Sequence, residues 1–233
     1  MLKFLRKVIM WVLIVFFGSS IGMVFVYKYL PVYITPLMVI RLFEQHKDGK
    51  KLTLKHTWVP LERINSSLPL AVWASEDQRF FDHSGFDFKE INNAVKEQRQ
   101  RGRLRGASTI SQQTAKNVFL WPRQSWLRKG LEAYFTKLIE WIWGKERIME
   151  VYINSIEMGR GIYGAQAAAK HFWGHNASSL SREESALIAA ALPNPLQRNC
   201  KNPSEYMLQR RKEILTQMRL LGGKYPPKTA TSK

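Results

Sequence analysis

The chain opens with a long apolar segment. Val8 to Tyr27 holds 20 residues without a charge, and a helix of that length, at about 1.5 Å per residue, crosses the roughly 30 Å hydrocarbon core of a bilayer. Three basic residues precede it, which favours a cytoplasmic start; they are Lys3, Arg6 and Lys7. The pattern predicts a cytoplasmic N-terminus over residues 1–7, a transmembrane helix over 8–27 and export of the rest.

A cleaved signal peptide is the alternative for this segment. Gly18-Ser19-Ser20 supplies the small residues that cleavage requires. The apolar run nevertheless continues through Ile21 to Tyr27, past the point where a signal peptide would end, and this favours the anchor.

The segment after the anchor changes character. Tyr29 to Ile40 is apolar but broken by Pro31 and Pro36, so it is too short to cross again and is expected at the interface. Arg41 to Lys55 is polar and predicts a linker. The predicted divisions are a juxtamembrane segment and linker over 28–56, a folded domain over 57–223 and a frayed tail over 224–233.

Apolar positions in the folded domain recur at helical spacing. They recur every three or four residues across Arg128 to Trp143, and every four across Lys145 to Met158, as in amphipathic helices. Ser181 and Glu184 form a capping-box pattern ahead of an alanine- and leucine-rich helix that Pro193 stops. Convincing strand alternation is missing, so the pattern predicts a mainly α domain.

The composition adds a strong positive charge. The 233 residues contain 36 Lys and Arg against 18 Asp and Glu, a formal net charge of +18. This excess predicts an anionic partner: nucleic acid, a membrane surface or a phosphorylated substrate. Export removes nucleic acid from the expected partners. The single cysteine, Cys200, excludes an intrachain disulfide and argues against a Cys-based zinc site.

The charge is concentrated in the middle of the chain. Lys96 to Arg147 holds twelve Lys or Arg against four Glu and no Asp, interleaved with seven aromatic residues. Basic residues with Trp at this density are typical of a surface on anionic lipid. The tract from Arg99 to Arg105 alone also resembles a nucleic-acid patch, but export favours a solvated or headgroup-facing loop.

A first candidate site follows the apolar run Leu68 to Trp73. It reads Glu76-Asp77-Gln78-Arg79-Phe80-Phe81-Asp82-His83-Ser84-Gly85. Charge is costly to bury unless it is paired or used, so this cluster predicts an active site. Burial would raise the pKa of Glu76 toward that of a general base or acid, oriented by Asp77, Arg79 and His83. The alternative is a helix end with solvated charges.

A second motif reads Gly106-Ala107-Ser108-Thr109-Ile110-Ser111-Gln112-Gln113-Thr114-Ala115-Lys116-Asn117. Ser108 or Thr109 is suited to cap a helix whose N-terminal amides face an anion. Ser108, Gln112 and Lys116 then fall four apart on one helix face. That row suits phosphate or sugar recognition, and it suits an ordinary polar face equally.

A third motif reads Arg128-Lys129-Gly130-Leu131-Glu132. Arg128, Lys129 and Glu132 share one helix surface at spacings of three and four. The motif is either a second carboxylate held among cations or a surface ion-pair ladder worth about a few tenths of a kcal/mol.

Together with two later motifs, these segments resemble the ordered motifs of the peptidoglycan glycosyltransferase family. The later motifs are Lys145-Glu146-Arg147-Ile148-Met149-Glu150-Val151-Tyr152-Ile153-Asn154, and Arg182-Glu183-Glu184-Ser185-Ala186-Leu187 through Leu192-Pro193-Asn194-Pro195. The resemblance covers about Thr57 to Pro195. Because a transpeptidase domain does not fit after Pro195, it implies a monofunctional, membrane-anchored member.

The resemblance implies a fold, a substrate and a location. The implied fold is lysozyme-like and α-helical, with a small membrane-associated jaw lobe after one transmembrane helix. The implied substrates are lipid II, a disaccharide-pentapeptide on undecaprenyl diphosphate, and the growing glycan strand. The implied location is the inner membrane, single-pass, with a periplasmic catalytic domain and other cell-wall synthases as candidate partners.

Family roles carry over onto matching positions. Glu76 is implied as the general base toward the GlcNAc 4-hydroxyl, which attacks MurNAc C1 with inversion. Glu132 matches the second family glutamate near the leaving diphosphate, where it would position a cation: Arg128, Lys129, or a divalent metal such as Mg²⁺ or Mn²⁺. The implied substrate contacts are Ser108, Thr109, Gln112, Gln113, Lys116, Asn117, Arg128 and Lys129. The implied supporting residues are Asp77, Arg79, Phe80, His83, Gly85 and Gly106.

Two positions depart from the family pattern. Several members carry a lysine directly before the second glutamate, where this chain has Leu131. Some carry an arginine about eight residues before that glutamate, where this chain has Gln124. Arg123 or Arg128 is the expected substitute.

Two other functions stay open. One is a lysozyme-like lytic enzyme that cuts the same glycan, and the other is a non-catalytic, membrane-anchored scaffold. A lytic enzyme acts on a soluble polymer and needs no basic diphosphate pocket. The cationic region from Lys96 to Arg147 therefore favours synthesis.

Overall fold

The structure, a computed structural model, describes residues 1–102 and 106–227. Ten α-helices account for most of this part of the chain, so the prediction of a mainly α fold is confirmed. The helices are α1 (Leu2–Tyr29), α2 (Pro36–Lys47), α3 (Ser67–Glu76), α4 (Phe88–Arg101), α5 (Ile110–Phe119), α6 (Trp126–Ile142), α7 (Lys145–Ser155), α8 (Ala165–Trp173), α9 (Arg182–Ala191) and α10 (Glu205–Leu220). The strands are β1 (Lys55–His56), β2 (Glu157–Gly159) and β3 (Ile162–Tyr163).

The apolar N-terminal segment forms one continuous helix. The stretch Lys3–Tyr29 is long and apolar enough to cross a membrane by length and composition. Its C-terminal half lies against α6, where the Trp143 Nε1 donates to the Val24 carbonyl at 2.7 Å. The hydroxyls of Ser20 and Tyr134 lie 2.8 Å apart. The helix that the hydropathy pattern predicts is therefore docked on the domain at its end.

Arg147 closes the C-terminal end of this helix. Its guanidinium donates to the Tyr27 carbonyl at 2.8 and 3.1 Å and to the Leu30 carbonyl at 2.6 Å. The last carbonyls of a helix lack intrahelical donors and carry the negative end of the helix dipole, so a cation is favourable there. The same guanidinium lies 5.0 Å from the ring of Trp58. Arg147 therefore joins the end of α1 to the domain.

The structure differs from the predicted linker between residues 28 and 56. Part of it is α2, which Thr35 caps by accepting from the Met38 amide at 3.3 Å and in which Pro36 opens the first turn. The Gln45 side chain pairs with the Thr53 backbone at 2.7 and 3.2 Å. Polarity indicated a linker, but only one face of this helix is solvated, so the structured domain begins before Thr57.

The core lies around α3, whose residues are buried up to its last turn. Helices α9 and α10 cover it, and the Ser67 and Ser185 hydroxyls meet at 2.7 Å in that interface. The strands form a small sheet in the order β1-β3-β2, with Lys55 opposite Ile162 in a parallel pair. These strands have two or three residues each, too few to show alternation in the sequence.

Two terminal or loop predictions need correction. The predicted tail over 224–233 contains an ordered residue, because the Tyr225 ring packs 5.9 Å from that of Phe81. The first residues of the Arg99–Arg105 tract belong to α4 and not to a loop, since α4 extends to Arg101 before the left-handed Gly102. Positions 103–105 and 228–233 lie outside the described residues.

Candidate active site

Glu76 is the last residue of α3 and stands in an open groove. The groove has a volume of about 910 Å³ and combines the end of α3, the segment before α5 and one face of α10. Its lining includes Ser75, Glu76, Asp77, Arg79, Gly106, Ser108, Thr109, Gln113, Pro193, Tyr206, Arg210 and Glu213. A carboxylate that ends a buried helix is thereby presented to an open, polar cleft.

The Glu76 carboxylate is only partly satisfied by the protein. Its Oε2 accepts from the Gln113 Nε2 at 3.0 Å, and its Oε1 accepts from the Ser75 hydroxyl at 3.4 Å. Burial raises the pKa of Glu76 above its ordinary value, and these two hydrogen bonds and the charge of Arg210 act in the opposite direction. A carboxylate with a raised pKa and room beside it is suited to take a proton.

The Gln113 side chain makes a second hydrogen bond, on the side away from Glu76. The Tyr152 hydroxyl donates to the Gln113 Oε1 at 3.0 Å, and Tyr152 is fully buried on α7. A line of hydrogen bonds therefore runs from α7 through α5 to Glu76.

Asp77 and His83 join the loop after α3 to helix α5. The His83 Nε2 lies 3.1 Å from both Asp77 oxygens, and its Nδ1 accepts from the Gly85 amide at 3.2 Å, which makes Nε2 the protonated nitrogen. Asp77 Oδ2 also accepts from the Ile110 amide at 3.0 Å, at the start of α5. The pair therefore places the residue next to Glu76 against the N-terminus of the second motif.

The other supporting residues shape the same loop. Arg79 pairs with Asp87 at 2.7 Å, and the Asp87 carboxylate caps α4. Gly85 has a φ of +96°, and a Cβ there would meet the Thr136 Cγ2 at 2.8 Å, so only glycine fits. Phe80 is fully buried beneath the Lys145 ammonium, 4.5 Å from the ring centre. The decapeptide is an ordered scaffold and not a solvated helix end.

The second motif divides into capping residues and groove residues. Thr109 is the N-cap of α5, its hydroxyl accepts from the Gln112 amide at 3.2 Å, and the Gln112 Oε1 accepts from the Thr109 amide at 3.0 Å. Both side chains are buried in this capping box. Ser108 precedes the cap and is exposed in the groove. The predicted row of Ser108, Gln112 and Lys116 on one helix face is therefore wrong, since the helix begins at Ile110.

Lys116 lies on α5, beside the groove that contains Glu76. It lines a cavity of about 260 Å³ with Asn117, and this cavity shares Gln113 and Pro193 with the larger groove. Burial lowers the pKa of Lys116, while the charges of Glu132 and Glu76 act to raise it. The cavity at Lys116 therefore adjoins the Glu76 groove, and both carboxylates attract its ammonium.

Glu132 is held by two cations on α6. Arg128 Nη1 lies 3.3 Å from Glu132 Oε2, and the Lys129 ammonium contacts Oε1. Glu132 is 3 % exposed and Arg128 is 7 % exposed, so this is no surface ladder. The Arg128 Nε is buried and has no hydrogen-bond partner in the described part of the chain. A buried cation with an unpaired donor is a fitting position for an anion.

The oxygen atoms near Glu132 are not arranged to bind a divalent cation. Both carboxylate oxygens already accept from cationic side chains. Hard metal ions prefer several oxygen ligands, and the described residues contain no cluster of three His, Cys, Asp or Glu that would supply them. We therefore derive no step through a metal.

The sequence motifs did not predict that α10 contributes to the site. Tyr206, Arg210 and Glu213 line the Glu76 groove, and the charge of Arg210 lowers the pKa of Glu76. Arg210 pairs with Glu213 at 2.8 Å. This helix is polar and basic, so it resembled a solvated surface helix. Its buried stripe of Met207, Ile214 and Met218, at spacings of seven and four, was the available signal that one face is turned inward.

Comparisons with known proteins agree over most of the chain. A family model described as Transglycosylase matches residues 45–219. A Bacteroides thetaiotaomicron protein named biosynthetic peptidoglycan transglycosylase is 61% identical over 215 residues, which cover 92% of this chain and 86% of that protein. Proteins of the same name from Bdellovibrio bacteriovorus and Pseudomonas savastanoi pv. phaseolicola are 50% identical over 214 residues (92% and 86% covered) and 47% identical over 223 residues (96% and 94% covered). On the combined strength of the motifs, the fold and these matches, the chain belongs to the transglycosylase family.

Proposed function

We propose that this protein is a peptidoglycan glycosyltransferase that polymerises lipid II into β-1,4-linked glycan strands and releases undecaprenyl diphosphate. One observation carries the proposal. The Glu76 carboxylate, whose pKa is raised by burial, stands in an open groove, Lys116 lines the adjoining cavity, and Glu132 holds the buried Arg128 and the exposed Lys129. A base and a fixed anion-binding cluster on one surface are what transfer from a diphosphate-linked sugar to a sugar hydroxyl requires.

The proposed step moves one proton and one sugar. Glu76 takes the proton of the GlcNAc 4-hydroxyl of the acceptor, and the freed oxygen attacks MurNAc C1 of the growing strand. The bond between C1 and the diphosphate oxygen breaks, its electron pair leaves with the diphosphate, and the configuration inverts from α to β. The proton stays on Glu76 until solvent removes it.

Fixed cations stabilise the leaving group in this proposal. Lys116, Arg128 and Lys129 face the place where the diphosphate gains negative charge, and preorganised charge is effective because it needs no reorganisation during the reaction. Glu132 holds Arg128 and Lys129 in position. Ser108 and Asn117, which line the groove and the adjoining cavity, are proposed sugar and phosphate contacts.

The membrane setting follows from the anchor. We place the protein in the inner membrane as a single-pass protein, with residues 1–7 cytoplasmic and the catalytic domain periplasmic, on the basis of α1 and the basic residues before it. Trp126 and Leu127 are 94 % and 70 % exposed at the start of α6. We propose that they mark the membrane-associated lobe. Other cell-wall synthases remain the partner class proposed for this location.

The test uses the anchored protein with two substrates. Incubated with lipid II, the wild type is expected to form polymer, and incubated with purified sacculi it is expected to release no soluble muropeptides. Glu76→Gln should lose at least about 10³-fold in polymerisation while still binding lipid II, because the amide keeps the shape but cannot take the proton. Muropeptides from sacculi without polymer from lipid II would establish a lytic enzyme, and wild-type turnover by Glu76→Gln would exclude Glu76 as the base.

A further inference from the structure

A buried tyrosine stands behind the proposed base without touching it. The Tyr152 hydroxyl lies 3.0 Å from the Gln113 Oε1, and the Gln113 Nε2 lies 3.0 Å from the Glu76 Oε2. Tyr152 comes from α7, Gln113 from α5 and Glu76 from α3. Three helices therefore meet in one line of hydrogen bonds that ends at Glu76.

The chemistry of the three groups determines which atom donates in each of these hydrogen bonds. An ionised carboxylate only accepts, so Gln113 must present its NH₂ group to Glu76. The Gln113 carbonyl then faces Tyr152, whose hydroxyl must donate. Burial, with the charges of Glu76 and Asp77, raises the pKa of Tyr152 far above its ordinary value, so the hydroxyl keeps its proton across the working range.

We propose that Tyr152 is a positioning residue that locks the Gln113 amide with its NH₂ group toward Glu76 and thereby holds the base in its charged form. This inference rests on the proposed role of Glu76 as the general base. A donor aimed at the carboxylate stabilises only the ionised form. Without the tyrosine hydroxyl, the amide is free to turn and offer its carbonyl to a protonated Glu76, which stabilises the form that cannot act as a base.

The hydrogen bond from Gln113 opposes some of the groups that face Glu76 and acts together with others. Burial at the end of α3 and the charge of Asp77 both favour the protonated form. Arg210 from α10 and Lys116 from α5 supply positive charge that favours the ionised form. All of these groups remain when only the Tyr152 hydroxyl is removed, so its effect can be measured alone.

The first experiment compares Tyr152→Phe with Tyr225→Phe. Tyr225 is half-buried, and its buried hydroxyl has no hydrogen-bond partner among the described residues, so its removal is a matched control. In Tyr152→Phe the acid limb of the pH profile of kcat/KM should move to higher pH. At a pH on that limb, kcat/KM should fall about three- to tenfold, because a rise of one unit in the pKa of the base lowers its ionised fraction tenfold. Its KM for lipid II at the plateau should stay that of the wild type. Coincident acid limbs for the wild type and Tyr152→Phe would overturn the proposal.

A second variant separates positioning from a general structural loss. Gln113→Met removes the amide, so Tyr152→Phe added to Gln113→Met should cause no further shift of the acid limb. Equal shifts in both backgrounds would mean that Tyr152 acts independently of Gln113, which would also overturn the proposal.

A readout without turnover distinguishes this inference from the proposed function. The carbon NMR signal of the Glu76 carboxyl, assigned by its loss in Glu76→Gln, should titrate at higher pH in Tyr152→Phe than in the wild type or Tyr225→Phe. An unmoved titration would exclude the lock even when lipid II is polymerised. A moved titration in a protein that forms no polymer would support the lock and refute the proposed function.

Discussion

At the scale of single residues, the burial that suits Glu76 to catalysis also costs stability. Its pKa is raised by burial, so the folded state holds this proton more tightly than the unfolded state. The stabilising contribution of that proton is complete below the unfolded pKa and is lost as pH rises through the folded pKa. At neutral pH a charged Glu76 therefore destabilises the fold.

We accordingly expect Glu76→Gln to be inactive and more stable. The amide removes the buried charge and still accepts from Gln113, so the free energy of unfolding at neutral pH should rise by about 1 kcal/mol, or about 2–4 °C in Tm. The difference should vanish in acid, where the wild-type carboxyl is protonated. A thermal melt of both proteins across pH tests this, and a less stable variant at neutral pH would contradict it.

Part of the candidate site could be predicted from the sequence at this scale. Glu76, Lys116 and Glu132 stand in recognisable motifs, and the structure places Glu76 and Lys116 in adjoining cavities. The contact between Tyr152 and Gln113 joins residues 39 apart and depends on how α5 and α7 pack. A tertiary contact of that kind has no local pattern by which it can be predicted.

At the scale of secondary structure, local capping rules predicted helix starts well. The box at Ser181 and Glu184 is confirmed at α9, and Thr109 caps α5, as one of the two predicted hydroxyls. These signals are local because the donor and acceptor are three residues apart. Helix α2 was missed because its apolar start was assigned to an interfacial segment and its polar end to a linker, and because its packing partner α5 lies far along the chain.

The two capping boxes provide a matched pair of variants. Thr109→Ala and Ser181→Ala should each lower the free energy of unfolding by about 1 kcal/mol. Thr109 also donates to the Gly85 carbonyl at 2.7 Å, which ties α5 to the loop after Glu76. Polymerisation by Thr109→Ala should therefore fall about tenfold, whereas Ser181→Ala should stay near wild type. Equal activities at equal stability would show that the cap does not position the site.

At the scale of the whole molecule, the anchor and the domain form a single structure. Hydropathy predicted α1 but not its docking, because Val24, Tyr27 and Leu30 take part through backbone carbonyls. A backbone carbonyl is present at every position, so these contacts leave no trace in the sequence. The partner side chains, Trp143 and Arg147, lie more than a hundred residues away.

Removing the Arg147 guanidinium should loosen this docking. Arg147→Met keeps an apolar stem but loses charge-assisted hydrogen bonds, each worth about 1.5–3 kcal/mol. Local opening around residues 28–36 should become at least about tenfold more frequent, and limited proteolysis in proteoliposomes should speed up accordingly. Arg219→Met, at an exposed position on α10, is the control. Identical cleavage rates would show that Arg147 does not secure the anchor.

The attachment of α1 to the domain by Arg147 also determines which substrate concentration matters for this protein. In the proposed membrane setting, a domain held to the end of α1 would meet its proposed lipid-linked substrate by lateral diffusion in a plane. The rate then follows the number of substrate molecules per unit of membrane area. Diluting vesicles in buffer would leave turnover unchanged, whereas spreading the same substrate through more lipid would lower it.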